Sequence, residues 1–114
     1  MDTLPIINRS YEAYKNIVDL NLKLNKRWRH SLGISFEQTV LDLIEQLVMA
    51  KNAPKPLKAG YLLKANGKLE VARLKLRLIL EFRLSNVTGI FQLQAKLDEV
   101  GKMLGGWLKS LYNQ

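Results

Sequence analysis

A chain of 114 residues with 47% hydrophobic and 25% charged side chains has globular composition and fits one domain, too short for a core plus a separate catalytic domain. Lys and Arg outnumber Asp and Glu 18 to 10, a net charge of +8 with a pI near 9.9, so a polyanion is the first class of partner to consider. The absence of cysteine excludes disulfides and thiolate chemistry, and the longest uncharged run, residues 84–95, is well short of the roughly 20 that span a bilayer.

The opening MDTLPIINRSYEAY lacks the basic flank and apolar block of a signal peptide, and a cytoplasmic protein is expected. Helical spacing of Ile6, Ala13, Ile17, Leu20 and Leu24 predicts a first helix over about 5–26, with Pro5 tolerated in the first turn. Residues 25–33, NKRWRHSLG, break that period, are dense in charge and end in glycine, and read as a loop. Ser35 with Gln38 reads as a capping box opening a second helix over about 36–51, its inner face Phe36, Val40, Leu43, Leu47 and Ala50 and its outer face Glu37, Asp42 and Glu45. The two prolines of NAPKP, 52–56, must end it. From Lys51 to Arg83 nine basic residues face only Glu70 and Glu81, so charge is segregated along the chain.

A third helix is expected reliably over about 66–84, with 57–65 ambiguous because Gly60 and Gly67 each weaken a helix by about 1 kcal/mol relative to alanine. At about 100° per residue, Leu69, Ala72, Leu76, Ile79 and Leu80 share one arc, and Val71, Leu74, Leu78 and Phe82 lie nearly opposite. One core accepts one arc; the other requires a second surface, most simply another copy of the chain. Arg73 and Arg77 sit on one seam between the arcs with Glu70 and Glu81, and Lys75 on the other. SNVTG, 85–89, reads as a turn, and Ile90, Leu93, Leu97, Val100, Leu104, Leu108 and Leu111 mark a fourth helix over about 90–111. Four such segments with short connections and no alternating strand pattern predict an all-α fold, an antiparallel up-down four-helix bundle occupying 1–114 as a single domain.

Candidate chemistry is sparse. His30 is the only histidine, so neither a His/Cys metal site nor a Cys/His pair can be assembled, and its HSLG context has no nucleophile-elbow pattern. Asp42 and Glu45 share a helix face, but nothing nearby predicts the burial that would split two carboxyl pKa values, and GKMLGGW lacks the residues that close a phosphate loop. No catalytic residue, metal or cofactor is expected. Gly101, Gly105 and Gly106 should together cost roughly 2–3 kcal/mol within one helix, which a close approach by another helix beside Trp107 would offset; a kink or early helix end at Gly105-Gly106 is the alternative. Lys23, Lys26, Arg27 and Arg29 crowd around Trp28, an arrangement suited to stacking on unpaired bases, or simply positive charge at a helix C-terminus. Arg73 and Arg77 could be spent on Glu70 and Glu81, but such pairs are worth only a few tenths of a kcal/mol, and an anionic partner or a cross-subunit pair explains more.

The segments RHSLG, LEVARLKLR and EVGKMLGGWLKSL resemble the Avd family, the accessory variability determinants of diversity-generating retroelements, over most of the chain; the G-x-x-L-G-G-W pattern falls on Gly101, Leu104, Gly105, Gly106 and Trp107. The resemblance implies a basic four-helix bundle without catalytic activity, assembled as a barrel-like homopentamer. It implies binding to RNA or DNA and to the retroelement's reverse transcriptase in support of mutagenic copying of a template RNA, with family basic residues matching Arg73 and Arg77. Proteins encoded by intervening sequences of ribosomal RNA genes belong to the same wider group, and a stand-alone RNA-binding protein of that type is the alternative. A membrane-surface role is disfavoured, because residues 67–84 are apolar on two sides rather than one.

Overall fold

A computed structural model describes residues 4–112. Four long helices account for the bundle: α1 (Pro5–Leu22), α2 (Ile34–Asn52), α3 (Lys55–Glu81) and α4 (Val87–Tyr112). No strand occurs among the described residues. Each helix packs on the next, and α4 returns against α1, closing a rod of 47 × 24 × 21 Å around one core. The expected inner faces are those buried: Ile6, Ala13, Ile17 and Leu20 from α1, Phe36, Val40, Leu43 and Leu47 from α2, Leu69, Ala72, Leu76 and Ile79 from α3, and Ile90, Leu93, Leu97, Val100 and Leu104 from α4.

Residues 25–33 are not a loop. Asn25 accepts a hydrogen bond from the Trp28 backbone N–H at 3.2 Å, starting a helical turn, Lys26–Trp28, that passes through a π-helical turn, Arg29–Gly33, directly into α2. The longer i→i+5 turn advances the side-chain phase away from 3.6 residues, so an α-periodic reading loses the pattern there. Gly33 sits at φ −60° and serves packing rather than chain reversal. Its carbonyl accepts from Asn21 Nδ2 at 2.8 Å, and a Cβ would stand 3.1 Å from the Asn21 amide. The same amide donates to Glu37 at 2.7 Å, tying α1 to α2.

Because α2 is already under way, Ser35 does not cap it, and Gln38 donates to Asp42 at 2.9 Å instead of reaching back. α1 ends at Leu22, four residues before the expected boundary, where Arg29 Nη2 satisfies the carbonyls of Leu22 and Leu24 at 3.0 and 3.2 Å. Ala53, forced extended by Pro54, ends α2, whose last carbonyls, Ala50 and Lys51, receive Lys58 Nζ at 2.8 and 3.0 Å. α3 then starts at Lys55, well before 66, because burial of Leu62 and Ala65 outweighs the cost of Gly60 and Gly67. It closes through Arg83, a non-glycine residue at φ +56°, with Leu84 N–H reaching Ile79 O at 3.0 Å. Asn86 Oδ1 then accepts the Gly89 N–H at 2.6 Å at the start of α4.

Candidate nucleic-acid and partner interface

The two arginines of α3 differ. Arg73 Nη1 meets Glu70 at 2.9 Å and Nη2 meets Asp98 of α4 at 3.2 Å, leaving its side chain about one third exposed. Among the described residues Arg77 pairs only with Glu81, at 2.9 Å, and is 71% exposed. Exposed ion pairs of this kind contribute little to stability, and Arg73 Nε is buried without a hydrogen-bond partner among the described residues. Of the expected pair, Arg77 alone projects freely from the surface. Both line an α3/α4 groove of about 470 Å³ floored by Leu76, Leu80 and Ile90.

Gly101 explains where Arg73 goes. A Cβ at position 101 would lie 2.6 Å from Arg73 Nη2 and 3.3 Å from Leu69 Cδ2. The clearance expected for another helix backbone is filled by a guanidinium of the same chain. Gly105 and Gly106 differ again: a Cβ on either meets nothing within 4 Å, and α4 continues through both to Tyr112. Neither the close helix contact nor the early helix end expected there occurs within the chain. Trp107 is half-buried against the core and lines an apolar pocket of about 450 Å³ with Leu4, Ile6 and Met103.

Lys75, expected to face a partner, is turned inward. Its Nζ donates to Ser35 O at 3.1 Å and to Ser35 Oγ and Thr39 Oγ1, each at 2.6 Å, bracing α3 against α2. Burial, followed by repulsion from Lys68, pushes its pKa below the ordinary lysine value. Arg29 is likewise committed, to the carbonyls ending α1. The remaining cations near Trp28 are free: among the described residues Lys23, Lys26 and Arg27 form no ion pair with a carboxylate. Trp28 itself is half-buried rather than fully displayed; its ring centroid is 5.3 Å from that of Phe82 at 38°, with the Arg27 guanidinium 5.3 Å from the indole.

The second arc of α3 is exposed as expected, with Val71, Leu74 and Leu78 at 41, 57 and 38%. Phe82, the fourth member of that arc, is 50% exposed and also lies against the ring of Trp28. By the 100° rule Gly60 and Gly67 join that stripe, and both have open space where a side chain would be. On α2, Ile34, Leu41 and Val48, seven residues apart, form another exposed apolar line. The sequence reading missed this line, along with the Ser35–Lys75, Arg73–Asp98 and Trp28–Phe82 contacts; only the nearness of Lys75 to the buried Ala72–Leu76 face hinted at its burial.

Among the described residues no three His, Asp or Glu side chains are grouped to hold a metal ion, and no helix is long and apolar enough to cross a membrane. Compared with known proteins, the chain matches no family model and no curated protein.

Proposed function

We propose that the chain is a non-catalytic accessory protein of a diversity-generating retroelement, an antiparallel up-down bundle of the Avd type. On this reading it assembles as a homopentamer in the cytoplasm and binds the element's reverse transcriptase and template RNA. The observation that carries the nucleic-acid part is positive charge left without internal compensation. In a chain of net charge +8, Lys23, Lys26, Arg27 and Arg83 form no ion pair with a carboxylate among the described residues. No recognition helix or zinc-finger pattern accompanies that charge, so binding should be electrostatic and tolerant of sequence. Self-assembly is supported by the uncovered stripe of Val71, Leu74 and Leu78.

The retroelement rests on the likeness of three segments. Two of them meet, through Arg73 lying over Gly101, and the third, RHSLG, forms the π-helical turn Arg29–Gly33. Filter binding across a salt series tests the nucleic-acid part: neutralising about five phosphates gives a log–log slope of roughly −3.5 for single strands and −4.5 for duplex. Salt-independent affinity, or no affinity, contradicts it. A reverse transcriptase gene and template repeat beside the coding sequence, with co-purification of that enzyme, test the retroelement. A ribosomal RNA operon in that place would favour the intervening-sequence alternative.

A further inference from the structure

Resting on the nucleic-acid reading above, we infer that the bundle end where Trp28, Phe82 and Arg83 meet is a stacking site for unpaired bases of single-stranded RNA. Two rings from distant parts of the chain converge there. Phe82 is 50% exposed, and its covered side lies against the half-buried indole of Trp28, centroid to centroid 5.3 Å. An aromatic backed by a second aromatic and open on one side offers a planar apolar surface of base size, held rigid from behind.

The charge around it fits a strand rather than a protein surface of mixed sign. Arg27 stacks over Trp28, Arg83 follows Phe82 directly, and Lys23 and Lys26 precede the indole; none has a carboxylate partner among the described residues. The nearest carboxylate along α3, Glu81, is already bonded to Arg77. Arg73 is bound by two carboxylates and Lys75 by two hydroxyls and a carbonyl, so the cations of the α3 seam are largely committed while those at this end remain available.

Arg83 adds an independent observation. It occupies φ +56° at the position of a helix end that glycine fills without strain, and an arginine there is kept at a conformational cost. Strained backbone of this kind concentrates at functional sites. The side chain it retains is a guanidinium next in sequence to the open ring, within reach of a phosphate while Phe82 takes the adjoining base.

The test compares wild type, Phe82→Ala and Arg83→Gly for binding to a uridine oligonucleotide, an equally long DNA oligonucleotide and an RNA duplex, with thermal melting and subunit number measured on each preparation. Phe82→Ala should weaken single-strand RNA binding roughly tenfold, leaving duplex binding and subunit number unchanged. Arg83→Gly should raise the melting temperature by relieving strain, yet weaken single-strand binding and reduce the magnitude of its salt slope by about 0.7. Because stability and binding move in opposite directions, that variant separates this site from a merely structural turn. Unchanged single-strand affinity in both variants, an equal loss on duplex, altered subunit number in Phe82→Ala, or preference for the DNA strand overturns the site while leaving electrostatic binding intact. Failure of the wild type to bind any of the three nucleic acids overturns the wider reading as well.

Discussion

Lys75 shows how a cation can be present in the charge balance yet absent from the interface. It braces two helices through three acceptors, so its removal should be felt in the fold. We predict that Lys75→Ala lowers unfolding free energy by about 1–2 kcal/mol in urea titrations while oligonucleotide affinity stays unchanged. Weakened binding at unaltered stability would return Lys75 to the partner surface. Its lowered folded pKa also fixes a sign. Between that value and the ordinary 10.5 the unfolded chain binds more protons than the folded one, so the contribution of this group to stability rises with pH across that alkaline window and is at its least favourable in neutral solution. Lys75→Met should abolish that rise in pH-dependent melting.

α3 carries the stripe proposed for self-assembly, and the glycines of α3 and α4 separate internal from external roles. Gly101 of α4 has its space filled by Arg73, whereas a Cβ at Gly60 or Gly67 of α3 would meet nothing within 4 Å among the described residues. A methyl group at Gly67 therefore meets no obstacle within the subunit, and Gly67→Ala should stabilise the helix by about 1 kcal/mol. If the stripe through Val71, Leu74 and Leu78 is where copies meet, the same methyl removes a clearance and shifts light scattering toward smaller species. Higher melting temperature with unaltered assembly would move the subunit contact elsewhere, with the exposed line Ile34, Leu41 and Val48 on α2 the next surface to test.

For the assembled molecule the expectation is a basic oligomer whose apolar stripes are covered, with Lys23, Lys26, Arg27 and Arg83 at one end of the bundle forming no ion pair with a carboxylate among the described residues. Multi-angle light scattering should give about five subunits, and a monodisperse 13.1 kDa species at low micromolar concentration would contradict assembly. Covering the stripes also governs solubility, since exposed apolar surface on this scale invites nonspecific association when left bare. Lys23, Lys26 and Arg27 lie outside α3 and so off the stripe of Val71, Leu74 and Leu78 proposed for the subunit contact.

Helical class, the four inner faces and the two-sided character of residues 67–84 were legible in the sequence because they depend on spacings of three and four residues, which are local. The limits of that reasoning are equally physical. The π-helical turn Arg29–Gly33 shifts phase and so hid a continuous helix, and the early start of α3 depended on burial that glycine propensity does not register. The Arg73–Glu70 and Arg77–Glu81 pairs were legible from their i,i+3 and i,i+4 spacings, but the long-range use of the cations was not. Lys75 is bound by acceptors 36 and 40 residues away, and Arg73 by Asp98 on another helix, partners that only the register between packed helices brings within hydrogen-bonding distance. Spacing along the chain placed these charges on seams; the packing of α3 against α2 and α4 decided which were consumed inside the fold, while Lys23, Lys26 and Arg27 near Trp28 form no ion pair with a carboxylate among the described residues.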